Sequence, residues 1–115
     1  MFLGKEVRVF LKGQALEIFL ELKKRQDGDS QRIVKSVERI IDLLKENPQY
    51  GDPIRKELIP EQFKKSGIFN LYRAELSNYW RMLYTLEGNK IDVLVFILTM
   101  ADHPTYDKLF GYRKR

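Results

Sequence analysis

The stretch LYRAELSNYWRMLYTLEGNKIDVLVFIL, residues 71–98, decides the fold. Three strand-like runs, 68–76, 80–86 and 91–98, are rich in aromatic and β-branched side chains. Gly88-Asn89 predicts a tight two-residue hairpin between the last two. That loop sets Tyr84 across from Val93, Met82 from Val95 and Trp80 from Ile97, making one apolar face. The linker Ser77-Asn78-Tyr79 then has two readings. With a two-residue loop, Arg81 pairs with Ala74, and Arg73 and Glu75 enter the apolar face. Burying those charges is costly. With a three-residue loop, 77–79, Arg81 pairs with Glu75. Tyr72, Ala74 and Leu76 then join the core face, while Arg73, Glu75 and Arg81 meet on the opposite one. A one-residue slip moves every side chain to the other face, so burial selects the three-residue loop.

Upstream, 14–25 has helical spacing, with Ala15, Ile18, Phe19 and Leu22 on one side. Asp27-Gly28-Asp29 breaks it, and Asp29 or Ser30 is placed to cap a second helix. There Ile33, Val34, Val37, Ile40, Ile41 and Leu44 form an apolar stripe that ends at Asn47-Pro48. Two amphipathic helices with a short polar break read as an antiparallel hairpin. Val7-Arg8-Val9-Phe10 reads either as a short first strand or as the lead into the first helix. Residues 48–67 are irregular, hold three of the four prolines, and allow a short helical turn from Pro60 to Phe63. The expected fold is α+β in one domain, 1–115: a helical hairpin on one face of an antiparallel meander, with a short C-terminal helix or tail.

Composition limits the chemistry. The absence of cysteine excludes disulfides and thiolate metal sites, and a single histidine argues against zinc. No metal or cofactor is expected. The longest apolar run is far short of a membrane span, and MFLGKEVRVF lacks the apolar block of a signal peptide, which predicts a cytoplasmic protein without a membrane partner. A net charge of +5 favours polyanionic partners, nucleic acid above all, although solvated lysines give the same number.

The uncovered sheet face is predicted to carry Arg73, Glu75 and Arg81 beside Leu83, Leu94 and Phe96. A mixed apolar and charged surface on a small protein marks a partner site. Arginine offers a planar donor fork to phosphate oxygens, and a carboxylate near a hydroxyl acts as general base. The competing reading of the three charges is a surface salt-bridge cluster of little energetic weight. Just beyond the last strand come Asp102, His103 and Tyr106. If the chain turns back, a histidine able to bind phosphate or move a proton and a tyrosine able to stack on a base reach the cationic site. Otherwise His103 is a turn residue before Pro104, and Tyr106, Phe110 and Tyr112 pack a short helix on the core. Arg113, Lys114 and Arg115 read as a charged tail with weak attraction to RNA.

The ordered set of a helical hairpin, a Pro/Gly loop, YRAEL, WRMLY, VLVFIL and HPTY resembles the RelE/ParE toxin superfamily across nearly the whole chain. WRMLY is similar to that family's recurring Tyr-Arg-aliphatic-aliphatic-Tyr strand, with Trp80 in the first place. The resemblance implies a toxin of a type II toxin–antitoxin system, with an antitoxin as partner. In ribosome-dependent members the ribose 2′-hydroxyl of mRNA attacks the adjacent phosphate without metal. It implies phosphate stabilisation by Arg81 and Arg73, base stacking by Tyr106, and a terminal role for His103. The implied general base is Glu75, standing where many members carry lysine, or Glu57, in the loop before the meander. An antitoxin helix or strand is expected over Leu83, Leu94 and Phe96. The same resemblance leaves two further functions open: a non-toxic RNA-, ribosome- or protein-binding domain that kept the fold, with the segment LFGYRKR over the site, and a ParE-like module that poisons DNA gyrase.

Overall fold

The computed structural model describes residues 1–111. Tyr112 and the terminal Arg113, Lys114 and Arg115 lie outside the described residues. The fold is α+β: β1 (Glu6–Leu11), α1 (Gly13–Lys24), α2 (Gly28–Glu46), β2 (Asp52–Pro53), α3 (Glu61–Lys65), β3 (Tyr72–Glu75), β4 (Arg81–Gly88), β5 (Asp92–Ala101) and α4 (His103–Leu109). The strands form one mixed sheet in the order β1-β5-β4-β3-β2. β3, β4 and β5 are the predicted antiparallel meander. The sheet is wider than the sequence predicts, because β1 joins β5 in parallel and the two-residue β2 joins β3. A two-residue strand containing proline carries no periodicity and sits at the edge, where proline is tolerated. Among the described residues no helix is long and apolar enough to cross a membrane.

The β3–β4 register is the predicted one: Glu75 faces Arg81, Ala74 faces Met82, and Tyr72 faces Tyr84. The β4–β5 register is not. Tyr84 pairs with Ile97 rather than Val93, a shift of four residues along β5. The two-residue Gly88-Asn89 loop gives way to a wider turn built on the Asn89 side chain. Its Oδ1 accepts from the backbone N–H groups of Ile91 and Asp92, both at 2.7 Å. An even shift preserves the faces, so Val93, Val95 and Ile97 still point at the helices. A bulge between Leu83 and Tyr84 then adjusts the register, so that Leu83 pairs with Thr99 and Arg81 with Ala101.

The helices cover one face through Ala15, Phe19, Leu22, Ile33, Val37, Ile40 and Leu44. The cap of α2 is Asp27, not Asp29 or Ser30. Asp27 accepts from the Ser30 backbone N–H at 2.9 Å, and Ser30 Oγ donates back to Asp27 at 2.9 Å. The opposite face is not open, as the sequence suggests, but half covered. Ile59, Phe63, Leu71, Leu83, Ala101 and Tyr106 make a second buried cluster there. Leu83, predicted to be an exposed partner contact, is 0% exposed. Leu94 and Phe96 are partly buried beside β1, where Phe96 stacks on Phe10 at 5.5 Å. The predicted first strand of the meander, 68–76, shortens to β3 because Asn70 pairs with β4 through its side chain. Its Oδ1 accepts from Leu86 N–H at 2.9 Å, and its Nδ2 donates to Leu86 C=O at 3.0 Å.

Tyr84 ties the irregular loop to the sheet. It is fully buried, stacks on Tyr72 at 5.3 Å, donates to Pro48 C=O at 3.0 Å and accepts from Gly51 N–H at 2.8 Å. Gly51 has no room for a side chain, since a Cβ there would lie 2.6 Å from the Arg73 carbonyl oxygen. Burial pushes the Tyr84 phenol up to about 12. A raised folded pKa stabilises the fold below the unfolded value of 10 and loses that contribution as pH rises from 10 through about 12. Tyr84→Phe, which leaves a buried C=O and a part-buried N–H without their partner, is expected to cost about 1–3 kcal/mol in denaturant unfolding near neutral pH. The stability gap between parent and variant should narrow above pH 10.

Candidate functional site

Strand alternation delivers the site's first three residues. On β3 and β4, Arg73, Glu75 and Arg81 point away from the helices, and the three-residue linker sets Glu75 beside Arg81. Glu75 Oε1 lies 3.3 Å from Arg81 Nε and 3.7 Å from Arg73 Nε, so one carboxylate bridges two guanidinium groups. On the far side of Arg73, Asp52 Oδ2 lies 3.4 Å from Nη2. Asp52 reaches it because the close approach of Gly51 presses β2 against β3.

The chain turns back after β5, and α4 supplies the rest. Asp102 caps α4 by accepting from Thr105 N–H at 2.9 Å, and Pro104 lies in the first turn, where its missing N–H costs nothing. The hydrogen bond from Thr105 holds the Asp102 carboxyl below its ordinary value. α4 thereby places His103 Nδ1 2.9 Å from Arg81 Nη1. Arginine has no acceptor, so Nη1 donates and Nδ1 accepts. In the neutral imidazole the proton is then on Nε2, which lies 3.3 Å from Asp107 Oδ2. Arg81 is thus clasped between Glu75 and His103.

Tyr106 is the floor of this cluster. Its ring lies under the Arg81 guanidinium, 4.8 Å from centroid to Cζ, and packs 4.6 Å from Phe110. Hydrogen bonding to Tyr106, before the contributions of Asp52 and Glu75, holds Arg73 above its ordinary pKa against the opposing effect of burial. Tyr106 is 2% exposed, so its ring has no free face for a nucleobase in this arrangement. The stacking role implied for it is corrected to a supporting one: it orients both arginines from below.

Five of the six candidate residues therefore meet: Arg73, Glu75, Arg81, His103 and Tyr106. Glu57 stands elsewhere, exposed on a 3₁₀ turn (Lys56–Leu58), in a hollow formed with Lys56, Ile59, Lys64, Ile68 and Phe69. Two neighbours escape the sequence reading. Asp107 is legible in hindsight as the i+4 partner of His103 on a helix. Asp52 has no sequence signal, since its placement depends on the bend at Gly51. Among the described residues no group of three His, Cys, Asp or Glu side chains is placed to hold a metal ion. Chemically, the cluster offers two arginines that can turn from carboxylates to a phosphodiester, an exposed carboxylate, and an exposed imidazole.

No protein-family model matches this chain, and no curated protein sequence matches it.

Asp102→Ala should cost about 1 kcal/mol by loosening the first turn of α4, read as a lower denaturant midpoint. A carboxyl held below 3.8 contributes stability above that pH and loses it as pH falls through the lower folded value. The variant should accordingly show a flatter acid limb than the parent in stability measured from pH 5 downward.

Proposed function

We propose that this chain is a RelE-like toxin: a cytoplasmic, metal-independent endoribonuclease that cuts mRNA on the ribosome and is neutralised by an antitoxin. The observation that carries the reading is the clasp of Arg81 between Glu75 and His103. An arginine flanked by a carboxylate on one side and an imidazole on the other matches the needs of phosphodiester transesterification. In that reaction Glu75 takes the proton of the ribose 2′-hydroxyl, and the 2′-oxygen attacks the adjacent phosphorus. Arg81 and Arg73 turn from Glu75 and Asp52 to the phosphate oxygens and balance the charge that grows there. Arg81 leaves His103 Nδ1 as it turns, the freed nitrogen takes up a proton from solvent, and the imidazolium so formed gives that proton to the departing 5′-oxygen. The bond formed is 2′-O–P and the bond broken is P–O5′. The products are a 2′,3′-cyclic phosphate and a 5′-hydroxyl.

A second reading draws on the same contacts. Both arginines already hold carboxylates, and Tyr106 is covered, as suits an RNA- or ribosome-binding domain of this fold with altered or lost cleavage. Inducible expression in a bacterial host separates the two, with mRNA ends mapped on translating ribosomes. The ribonuclease reading expects growth arrest and new cyclic-phosphate ends with the parent. Arg81→Ala should abolish both, and Glu75→Gln should slow cleavage by roughly 10²–10⁴-fold. Equal toxicity of parent and Arg81→Ala would exclude this site as the source of the activity. A harmless parent that still binds ribosomes would favour the second reading.

A further inference from the structure

Among the described residues, the burial of Tyr106 leaves the Arg81 cluster without a stacking ring for the bases of an RNA substrate on α4. The linker between β3 and β4 supplies one. Asn78 (φ 60°) and Tyr79 (φ 62°) both adopt the left-handed backbone conformation. Single asparagines visit it readily, but tyrosine does so only under constraint. The constraint is visible. Ser77 N–H donates to the buried Ser36 Oγ of α2 at 3.1 Å, and Ser36 Oγ donates to Ile33 C=O at 2.7 Å. Leu76 N–H donates to Trp80 C=O at 2.8 Å, and Trp80 N–H to Ser77 C=O at 3.2 Å, which closes the linker on itself.

This held and strained linker exposes its aromatic residue. Tyr79 is 82% exposed, and its side chain makes no hydrogen bond or ring contact among the described residues. A fold gains nothing from holding a large ring in water on an unfavourable backbone, and such strain gathers at functional sites. Tyr79 also stands two residues from Arg81, so their Cα atoms are at most about 7 Å apart. It lies next to the end of the sheet where Glu75, Arg81 and His103 meet.

We infer that Tyr79 is the platform on which a base of single-stranded RNA stacks, beside the phosphate held by Arg81. This rests on the ribonuclease reading of the cluster. The ring presents a face that any base can use, so the contact favours unpaired RNA over a duplex and carries little sequence preference. The held linker fixes the backbone that carries the ring, which removes the backbone part of the ordering cost of binding.

The test uses a defined mRNA, free and on translating ribosomes, with the parent, Tyr79→Phe, Tyr79→Ala and Tyr79→Gly. Loss of one stacked base should weaken RNA affinity roughly 5- to 150-fold in the Ala and Gly variants, while Phe keeps it. Tyr79→Gly relieves the backbone strain and should raise the melting temperature while affinity falls. A residue of purely structural importance would not separate the two in that direction. If the parent binds and cuts mRNA and Tyr79→Ala matches it, the inference on Tyr79 falls and the ribonuclease reading stands. If Tyr79→Ala keeps RNA affinity but loses self-association of the protein, the ring is a protein contact and the inference also falls. If the parent neither binds nor cuts RNA in either form, both fall together.

Discussion

The register that sets Glu75 opposite Arg81 is the constraint on which the rest depends. Magnitudes show what fixes it. Exposed and half-exposed ion pairs of this kind contribute about 0–1 kcal/mol each. Fully burying one large apolar side chain contributes about 1.5–3 kcal/mol. Met82, Tyr84 and Ala74 are buried at 2% exposure or less on the helix side of the same strands. A slip by one residue would expose these and carry Arg73 and Glu75 into the core, so the apolar face decides and the charges follow. The charged cluster is therefore a consequence of packing on the other side of the sheet, and it is held in place by groups that take no part in its chemistry.

The second face shows the same division of labour. α4 is short, and its position comes from Tyr106, with Leu109 and Phe110, against the cluster of Ile59, Phe63, Leu71 and Leu83. That anchorage costs Tyr106 its availability to a ligand and gives Arg73 and Arg81 a common base. His103 reaches Arg81 only because α4 lies there, and Asp102 starts the helix at the residue before it. Tyr84 plays the corresponding part on the opposite flank. Its hydroxyl holds the Pro48–Gly51 loop, from which Asp52 reaches Arg73.

Much of this was legible in the sequence where a period and a cost agreed. The helical hairpin followed from the stripe of Ile33, Val37, Ile40 and Leu44, and the meeting of Arg73, Glu75 and Arg81 followed from the expense of burying them. The reading failed where a side chain replaced a backbone role. Asn89 widened a turn that Gly88-Asn89 alone predicts to be tight, and Asn70 cut short a strand whose composition favours extension. It failed again where an apolar side chain could face either way. The sequence places Leu83 as a surface contact beside a charged site and leaves Tyr106 open between a stacking ring and a core residue, yet a second core claims both because the segment 54–71 folds back over that face. No local pattern announces such a return, since the segment has little regular structure of its own.

The central claim is that Arg81 donates to His103 Nδ1 and is thereby held between an imidazole and a carboxylate. The protein has one histidine, so a ¹⁵N nuclear magnetic resonance spectrum of its imidazole reads this contact without assignment ambiguity. At a pH where the ring is neutral, a single tautomer is expected, with Nε2 protonated and Nδ1 bare, which relaxes to an averaged signal in Arg81→Ala. A proton on Nδ1 of the neutral ring, or an imidazole spectrum that Arg81→Ala leaves unchanged, would contradict it.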